Sequence, residues 1–330
     1  MILGHNQNSS WSEDCLSPRI QASAETPNCA FMDECDRSLF TCCRRLDVNR
    51  ILIVGIDTVA GRSLADKLSG TCDLAGLWFR TPTALSGVTA TKINRTALSE
   101  HAATATTVVF CGAASQSSWN RNFGTFRAED KWLTPCILAA KASDSRMVFV
   151  SSDAVFSGPW VFHDDDSVAH SEESSAEQLR RFESQVQQLK NSLIVRTNIV
   201  DGKGMVQDAL RAVEKGRSVS VDAGTYATPV TRSAFASSLV DCLAAGMTGY
   251  VNIAGAERTS PFQLVTLLAT NLECDAHRIV AKFDTEKPVE RSLRCLRLRH
   301  ELKQLPSLLK DTLEQLADDV TARRDRVTAA

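Results

Sequence analysis

Two glycines stand at a predicted strand-to-helix junction, in the segment VGIDTVAG at residues 54–61. A Rossmann domain places a dinucleotide pyrophosphate at such a junction, against the N-terminus of the helix. Gly55 would permit the tight turn, and Gly61 would let helix and strand pack closely. Thr58 replaces the usual middle glycine, so its Cβ would crowd the phosphate. We predict a cofactor loop formed by Gly55, Thr58, Val59, Ala60 and Gly61, although the same glycines could mark an ordinary turn.

Arg80 follows the second predicted strand, where a Rossmann domain reads the ribose of the adenosine. An acid at this position selects NAD, and a base favours the 2′-phosphate of NADP. The arginine therefore predicts NADP(H) rather than NAD(H), with a solvated strand end as the alternative. If Thr58 closes the loop, the prediction is that no dinucleotide binds.

Other titratable side chains offer weaker chemistry. His163 and His170 could donate a proton at neutral pH, but histidines in a polar loop are usually solvated. The acidic run 164–166 could suggest a cation site, yet three adjacent acids rarely converge on one ion. Cys111 and Cys242 lie in apolar segments and are predicted to be buried packing thiols.

Five of the eleven cysteines fall before residue 49, namely Cys15, Cys29, Cys35, Cys42 and Cys43. They lack the paired Cys-x2-Cys spacing of structural zinc sites, so no metal site is predicted. The segment has no sustained hydrophobic period and is rich in polar residues. Residues 1–48 are therefore predicted to be a loose, cysteine-containing extension.

Short apolar runs that alternate with helical spacing must position the cofactor loop. The predicted strands are RILIVG (50–55), LAGLWF (74–79), TTVVFC (106–111), MVFV (147–150) and SLIVRT (192–197). Predicted helices lie between them at 61–68, 133–143 and 177–190. Because parallel strands need a crossover between them, this alternation predicts an α/β fold. We expect a Rossmann-like, doubly wound parallel sheet over residues 49–200.

The hydrophobic spacing in the second half of the sequence predicts helices at 205–216, 232–246, 260–272 and 307–320 and a buried strand at 249–255. We expect a smaller C-terminal α/β lobe over residues 201–320 that mainly binds substrate, and a frayed tail over 321–330.

Composition excludes several classes of function. The net charge of −2 gives no basic footprint for nucleic acid. No apolar run approaches the roughly 20 residues that span a bilayer, so no membrane association is predicted. The N-terminus resembles no export signal, and a cytoplasmic location is expected.

The segment MVFVSSDAVFSG (147–158) resembles the strand and loop STDYVFDG of the dTDP-4-dehydrorhamnose reductase family, an extended branch of the short-chain dehydrogenases/reductases. LIVRTNIV (193–200) is similar to the family's LIVRTSWVY, and VVFCGAAS (108–115) to the turn after its fourth strand. GYVNIAGAERTSPFQL (249–264) resembles its GxYHxAGxxxxSxxEF segment. Such matches follow in order through roughly residues 50–320.

The resemblance implies a reductase in which NADPH donates hydride to a 4-keto sugar. Ser152 would hold the carbonyl, a tyrosine would protonate its oxygen, and a lysine would lower the pKa of that tyrosine. Further implied contacts are Gly112, Ala113, Ala114 and Ser151 to the cofactor, and Asp153 and Asn198 to the substrate. Counting back from Arg196 places the tyrosine at Ser174 and the lysine at Gln178. No tyrosine occurs between residues 116 and 225.

The sequence thus predicts a protein that binds NAD(P) or a nucleotide sugar without the Tyr-x3-Lys pair, and is non-catalytic or diverged. One alternative is an active NADPH-dependent nucleotide-sugar reductase or epimerase with an unorthodox acid. Another is a regulatory subunit of a partner enzyme. The expected partners are a nucleotide sugar or similar small molecule and such an enzyme, and homodimer formation is left open.

Overall fold

The computed structural model describes residues 50–120, 129–201 and 204–328, which belong to one compact unit. The predicted extension over residues 1–48, with its five cysteines, lies outside the described residues. In the described residues no helix is both long and apolar enough to cross a bilayer.

The strands are β1 (Arg50–Val54), β2 (Asp73–Trp78), β3 (Val88–Lys92), β4 (Thr107–Phe110), β5 (Arg146–Val150), β6 (Ser192–Thr197), β7 (Ile199–Val200), β8 (Val219–Asp222), β9 (Thr225–Tyr226), β10 (Val230–Thr231), β11 (Gly249–Ile253), β12 (Ile279–Lys282) and β13 (Val289–Glu290). The helices are α1 (Val59–Leu68), α2 (Arg95–Ala102), α3 (Leu133–Ala142), α4 (Ser174–Gln187), α5 (Met205–Glu214), α6 (Arg232–Ala244), α7 (Pro261–Asn271), α8 (Leu296–Glu301) and α9 (Leu309–Thr328).

A seven-stranded parallel sheet forms the centre of the fold, in the order β11-β6-β5-β4-β1-β2-β3. Strands β4, β5 and β6 are buried along their whole length, and β1 is buried beyond its first residue. This burial explains why these strands are continuous apolar runs, since a parallel sheet is covered on both faces. The order 3-2-1-4-5-6 is that of a Rossmann domain, so the predicted fold class is confirmed.

The second half of the chain contributes to both parts of the molecule. Strand β11 extends the main sheet beside β6, and helix α6 packs on α1. The smaller lobe has its own apolar cluster, built from α5, α7 and α9 with residues of β7, β8 and β12. The predicted lobe over 201–320 is therefore interleaved with the Rossmann domain and does not follow it as a separate segment.

The C-terminal helix α9 extends through Thr328. The helix thus continues beyond residue 320, where the sequence predicts that it ends, and fraying of residues 321–330 stays a prediction. Leu313, Leu316 and Val320 of this helix pack into the apolar cluster of the lobe, as their helical spacing predicts.

Candidate functional site

The two glycines of the cofactor loop have the predicted steric roles. Gly55 has a φ of +87°, which side chains disfavour, and its amide donates to Leu77 O at 2.7 Å. A Cβ at this position would overlap the carbonyl oxygen of Cys111, and one at Gly61 would overlap that of Gly55. Both positions therefore require glycine because backbone approaches backbone.

Thr58 forms two hydrogen bonds within the loop and leaves part of it open. It is the N-cap of α1, and its hydroxyl accepts from Gly61 N at 3.1 Å and donates to Gly55 O at 2.7 Å. The amides of Val59 and Ala60, at the first two positions of α1, donate to no group among the described residues. A helix N-terminus with open amides fits a phosphate. A pyrophosphate thus fits this turn through the backbone of Val59 and Ala60, although Thr58 has taken the amide of Gly61.

The end of β2 shows a residue that the sequence reasoning missed. Asp57 Oδ1 accepts from Phe79 N at 2.9 Å, and its Oδ2 accepts from Arg80 N at 2.8 Å and Thr81 N at 3.1 Å. The Arg80 guanidinium forms an ion pair with Glu129, whose side chain is only 10% exposed. The cation predicted for a 2′-phosphate is therefore already neutralised by a protein carboxylate.

The turn after β4 lies beside the cofactor loop, since Cys111 N donates to Val54 O at 2.8 Å. A Cβ at Gly112 would lie 2.5 Å from the Phe110 ring, and Ala113 N donates to Asp130 Oδ1 at 3.2 Å. Ala114 is buried in the main core. These small residues let the turn lie close to the strand end, and their contact with a cofactor stays a prediction.

Ser151, which the resemblance implies as a cofactor contact, forms its hydrogen bonds to protein groups. Its hydroxyl donates to Glu183 Oε1 of α4 at 2.7 Å, and its amide donates to Val195 O at 2.7 Å. Both groups of this fully buried residue are thus used inside the fold.

A buried polar cluster follows β5, and it brings together three of the predicted residues. Ser152 Oγ donates to Asp153 Oδ1 at 3.1 Å, and Asn198 Nδ2 donates to Asp153 Oδ2 at 3.0 Å. Asn198 Nδ2 also lies 3.2 Å from Ser118 Oγ. Burial raises the pKa of Asp153 to about 6, against the opposing effects of Arg291 and of three hydrogen bonds. The cluster therefore holds a carboxyl group that is much less acidic than an exposed one.

The structure does not bring the counted tyrosine and lysine positions into this cluster. Ser174 begins α4 and is exposed, while Gln178 is half-buried, and neither hydrogen-bonds to Ser152 in the described structure. Their neighbours Ser175 and Leu179 are the buried residues on this part of the helix. Neither the pair Ser174 and Gln178 nor the pair Ser175 and Leu179 contains a tyrosine phenol or a lysine ammonium.

His163 is not solvated as predicted, whereas His170 is only half-buried. His163 is 3% exposed and stacks on Phe156 with ring centroids 4.0 Å apart. Burial lowers the pKa of His163, and the nearby His170 and Arg196 lower it further. His170 Nε2 contacts Gly158 O. His163 thus packs as a neutral aromatic group because its stacking partner shields it from water.

The acidic run diverges as expected. Asp164 pairs with Arg294 at 2.6 Å, whereas Asp165 accepts from the backbone amides of Asn252 and Arg297. Within the described ranges no three His, Cys, Asp or Glu side chains are placed to hold a metal.

Cys111 and Cys242 are buried packing thiols, as predicted. Burial raises the pKa of each to about 12.

A cavity of about 800 Å³ lies between the Ser152 cluster and the smaller lobe. Ser118 and Arg291 line it from the side of the cluster, and Trp119, Arg217 and Asp222 from the lobe. Trp119 Nε1 and Arg291 Nε are buried without a hydrogen-bond partner among the described residues, while Nη2 of Arg291 pairs with Glu173. Such groups cost about 1–3 kcal/mol each when unsatisfied, so they favour a polar ligand.

Comparison with solved structures identifies the architecture. The chain is similar to a hypothetical dTDP-4-dehydrorhamnose reductase from Sulfolobus tokodaii, with 21% identity and a TM-score of 0.64 over 76% of this chain and 93% of that one. It has the fold of these reductases. A dTDP-4-dehydrorhamnose reductase from Bacillus anthracis in complex with NADP gives 14% identity and a TM-score of 0.66 over 82% and 98% of the two chains. A dTDP-glucose 4,6-dehydratase from Streptomyces venezuelae with NAD and TYD bound gives 15% identity and a TM-score of 0.71 over 84% and 97%. No protein-family model and no curated protein sequence matches the chain.

Proposed function

We propose that this protein binds a nucleotide sugar in the cavity beside the Ser152 cluster and a nicotinamide dinucleotide at the Gly55 turn. The dTDP-4-dehydrorhamnose reductase and dTDP-glucose 4,6-dehydratase structures of the same fold contain NADP, or NAD and TYD, and a similar structure contains UDP-glucose and NAD. The observation that carries the proposal is the cavity itself, because its wall includes Trp119 and Arg291, two residues whose buried donors Nε1 and Nε have no hydrogen-bond partner among the described residues. A diphosphate or a sugar would supply the acceptors that these two donors lack.

We further propose that hydride transfer is absent or slow. Reduction of a ketone needs an acid that protonates the developing alkoxide, and an activated tyrosine performs this step in the reductase family. The residues at the counted positions are Ser174 and Gln178, and neither has a pKa near neutrality. The protein would then act by binding and not by turnover.

Titration calorimetry of the full chain with UDP-glucose and with a dTDP-sugar tests the binding proposal. We expect Arg291→Gln to weaken binding of the nucleotide sugar at least tenfold, since one charge-assisted hydrogen bond contributes about 1.5–3 kcal/mol. Arg294→Gln is the matched control, because this exposed residue pairs with Asp164 and does not line the cavity. Equal affinities for the two variants, or no binding by the unaltered protein, would overturn the proposal.

A second candidate is an active reductase in which Asp153 supplies the proton. The observation in its favour is that burial raises the pKa of this carboxyl to about 6 while Ser152 Oγ lies 3.1 Å from it. NAD(P)H oxidation with a dTDP-4-keto sugar, abolished by Asp153→Asn, would support this candidate. A role as regulatory subunit of a partner enzyme stays a prediction of the sequence alone.

A further inference from the structure

Asp57 places a carboxylate at the point where a Rossmann domain reads the adenosine ribose. Its two oxygens accept hydrogen bonds from three successive amides, those of Phe79, Arg80 and Thr81, at 2.8–3.1 Å. Successive amides that converge on one anion form a nest, a common binding site for phosphate groups. Here the chain fills the nest with its own side chain.

The cation at the end of β2, Arg80, is engaged as well. Arg80 directs its guanidinium to Glu129, and this carboxylate is largely buried and has Oε2 without a hydrogen-bond partner in the described part of the chain. Moving Arg80 to a ligand phosphate would leave the Glu129 charge buried without its counter-ion. Such a loss is among the costly changes in a protein interior.

On the basis of the proposed dinucleotide binding, we infer that Asp57 selects NAD(H) and rejects NADP(H). A 2′-phosphate at the end of β2 would face the Asp57 carboxylate and find its three amides occupied. A 2′-hydroxyl could instead donate a hydrogen bond to the same carboxylate. In other Rossmann domains the acidic residue that selects NAD is part of the end of β2. Asp57 instead belongs to the glycine loop, and its side chain reaches the end of β2. The inference reverses the preference that Arg80 alone predicts.

Calorimetric titration of the full chain with NAD⁺ and NADP⁺ tests the inference. We expect the unaltered protein to bind NAD⁺ at least tenfold more tightly than NADP⁺. Asp57→Asn removes the charge at constant shape, and we expect it to reduce this ratio at least fivefold by strengthening NADP⁺ binding. Asp66→Asn is the matched control, because Asp66 lines the same cavity of about 650 Å³ as Asp57 but is exposed on α1 and accepts none of the three amides. This control should leave the ratio unchanged.

Two results would overturn the inference while leaving the proposed function intact. One is tighter binding of NADP⁺ than of NAD⁺ by the unaltered protein, which needs no variant and so does not depend on how Asp57→Asn folds. The other is a folded Asp57→Asn protein with an unchanged ratio. If neither dinucleotide binds, the inference and the dinucleotide part of the proposed function fail together, and the UDP-glucose titration still decides the nucleotide-sugar part.

Discussion

The ion pair between Glu183 and Arg196 joins helix α4 to strand β6, next to the Ser152 cluster. Arg196 Nη2 donates to Glu183 Oε2 at 2.8 Å and its Nε donates to Oε1 at 3.2 Å, with both side chains under 5% exposed. Glu183 also accepts from Ser151 Oγ, and the Arg196 guanidinium lies 4.3 Å from the centre of the Tyr250 ring. Removing one charge would therefore leave the other buried without its partner.

We predict that Glu183→Gln lowers the free energy of unfolding by about 3–5 kcal/mol, the usual cost of breaking a buried pair. At about 2 °C per kcal/mol for a chain of this size, the melting temperature should fall by about 6–10 °C. Urea unfolding followed by circular dichroism measures the first quantity, and differential scanning calorimetry the second.

The same helix supplies a matched control. Glu177 pairs with Arg181 at 2.5 Å, but both side chains are more than half exposed. Glu177→Gln should cost less than about 0.5 kcal/mol, because water and salt screen such a pair. Replacing both buried residues with methionine should recover part of the stability, since the desolvation cost of the two charges disappears. Equal losses for Glu183→Gln and Glu177→Gln would refute the reasoning.

Two further predictions concern the site itself. Burial raises the pKa of Asp153 from about 3.9 in the unfolded chain to about 6, so the native state keeps the proton longer and loses stability as pH rises from about 4 to 6. Asp153→Asn should remove this loss. Urea titrations at several pH values should show its free energy of unfolding rising by about 2–3 kcal/mol relative to that of the unaltered protein between pH 4 and 6. Parallel pH profiles for the two proteins would contradict the raised pKa of Asp153. Gly61→Ala should destabilise the fold by about 1–3 kcal/mol, because its Cβ would overlap the Gly55 carbonyl oxygen. Ser63→Ala on the same helix should change the melting temperature little, and a Gly61→Ala protein of unaltered stability would show that the loop can separate from the helix.

The main sheet could be predicted from the sequence because its central strands are buried on both faces. The runs RILIV and SLIVRT have no competing polar pattern, and their observed bounds agree with the prediction to within one residue. Strand β3 was missed because VTATK lies at the sheet edge and three of its five residues are exposed. Val88 and Ala90 alternate with Thr89 and Thr91, but an alternation of five residues with only two apolar side chains is a weak strand signal.

The candidate site was predictable only where the backbone determines the residue type. Gly55 and Gly61 follow from steric needs that any Rossmann turn imposes. The role of Asp57 requires knowing that its side chain reaches amides 22 to 24 residues later in the chain. Arg80 likewise pairs with Glu129, which lies far along the chain, so no short sequence motif could indicate this ion pair.

Counting along the chain has a similar limit at helix α4. Successive residues of an α-helix point about 100° apart, so an error of one position moves a side chain to another face. Ser174 is exposed whereas Ser175 is buried, and Gln178 is half-buried whereas Leu179 is buried. Either register gives a pair without a phenol or an ammonium, so the proposal that the tyrosine and lysine of the reductase family are absent does not depend on the count.

The two ends of the proposed site differ in how far the protein satisfies its own polar groups. At the dinucleotide end, Asp57 and Thr58 occupy amides that a phosphate or ribose would otherwise use. At the sugar end, Trp119 Nε1, Asn198 Oδ1 and Arg291 Nε are buried without partners among the described residues. A ligand at the first end finds only part of the loop free, chiefly the amides of Val59 and Ala60, whereas a ligand at the second end could form hydrogen bonds that the protein lacks. This difference favours tighter binding at the second end. On our proposal the nucleotide sugar is therefore the principal ligand, and the dinucleotide is held more weakly on a framework whose counted tyrosine position carries a serine.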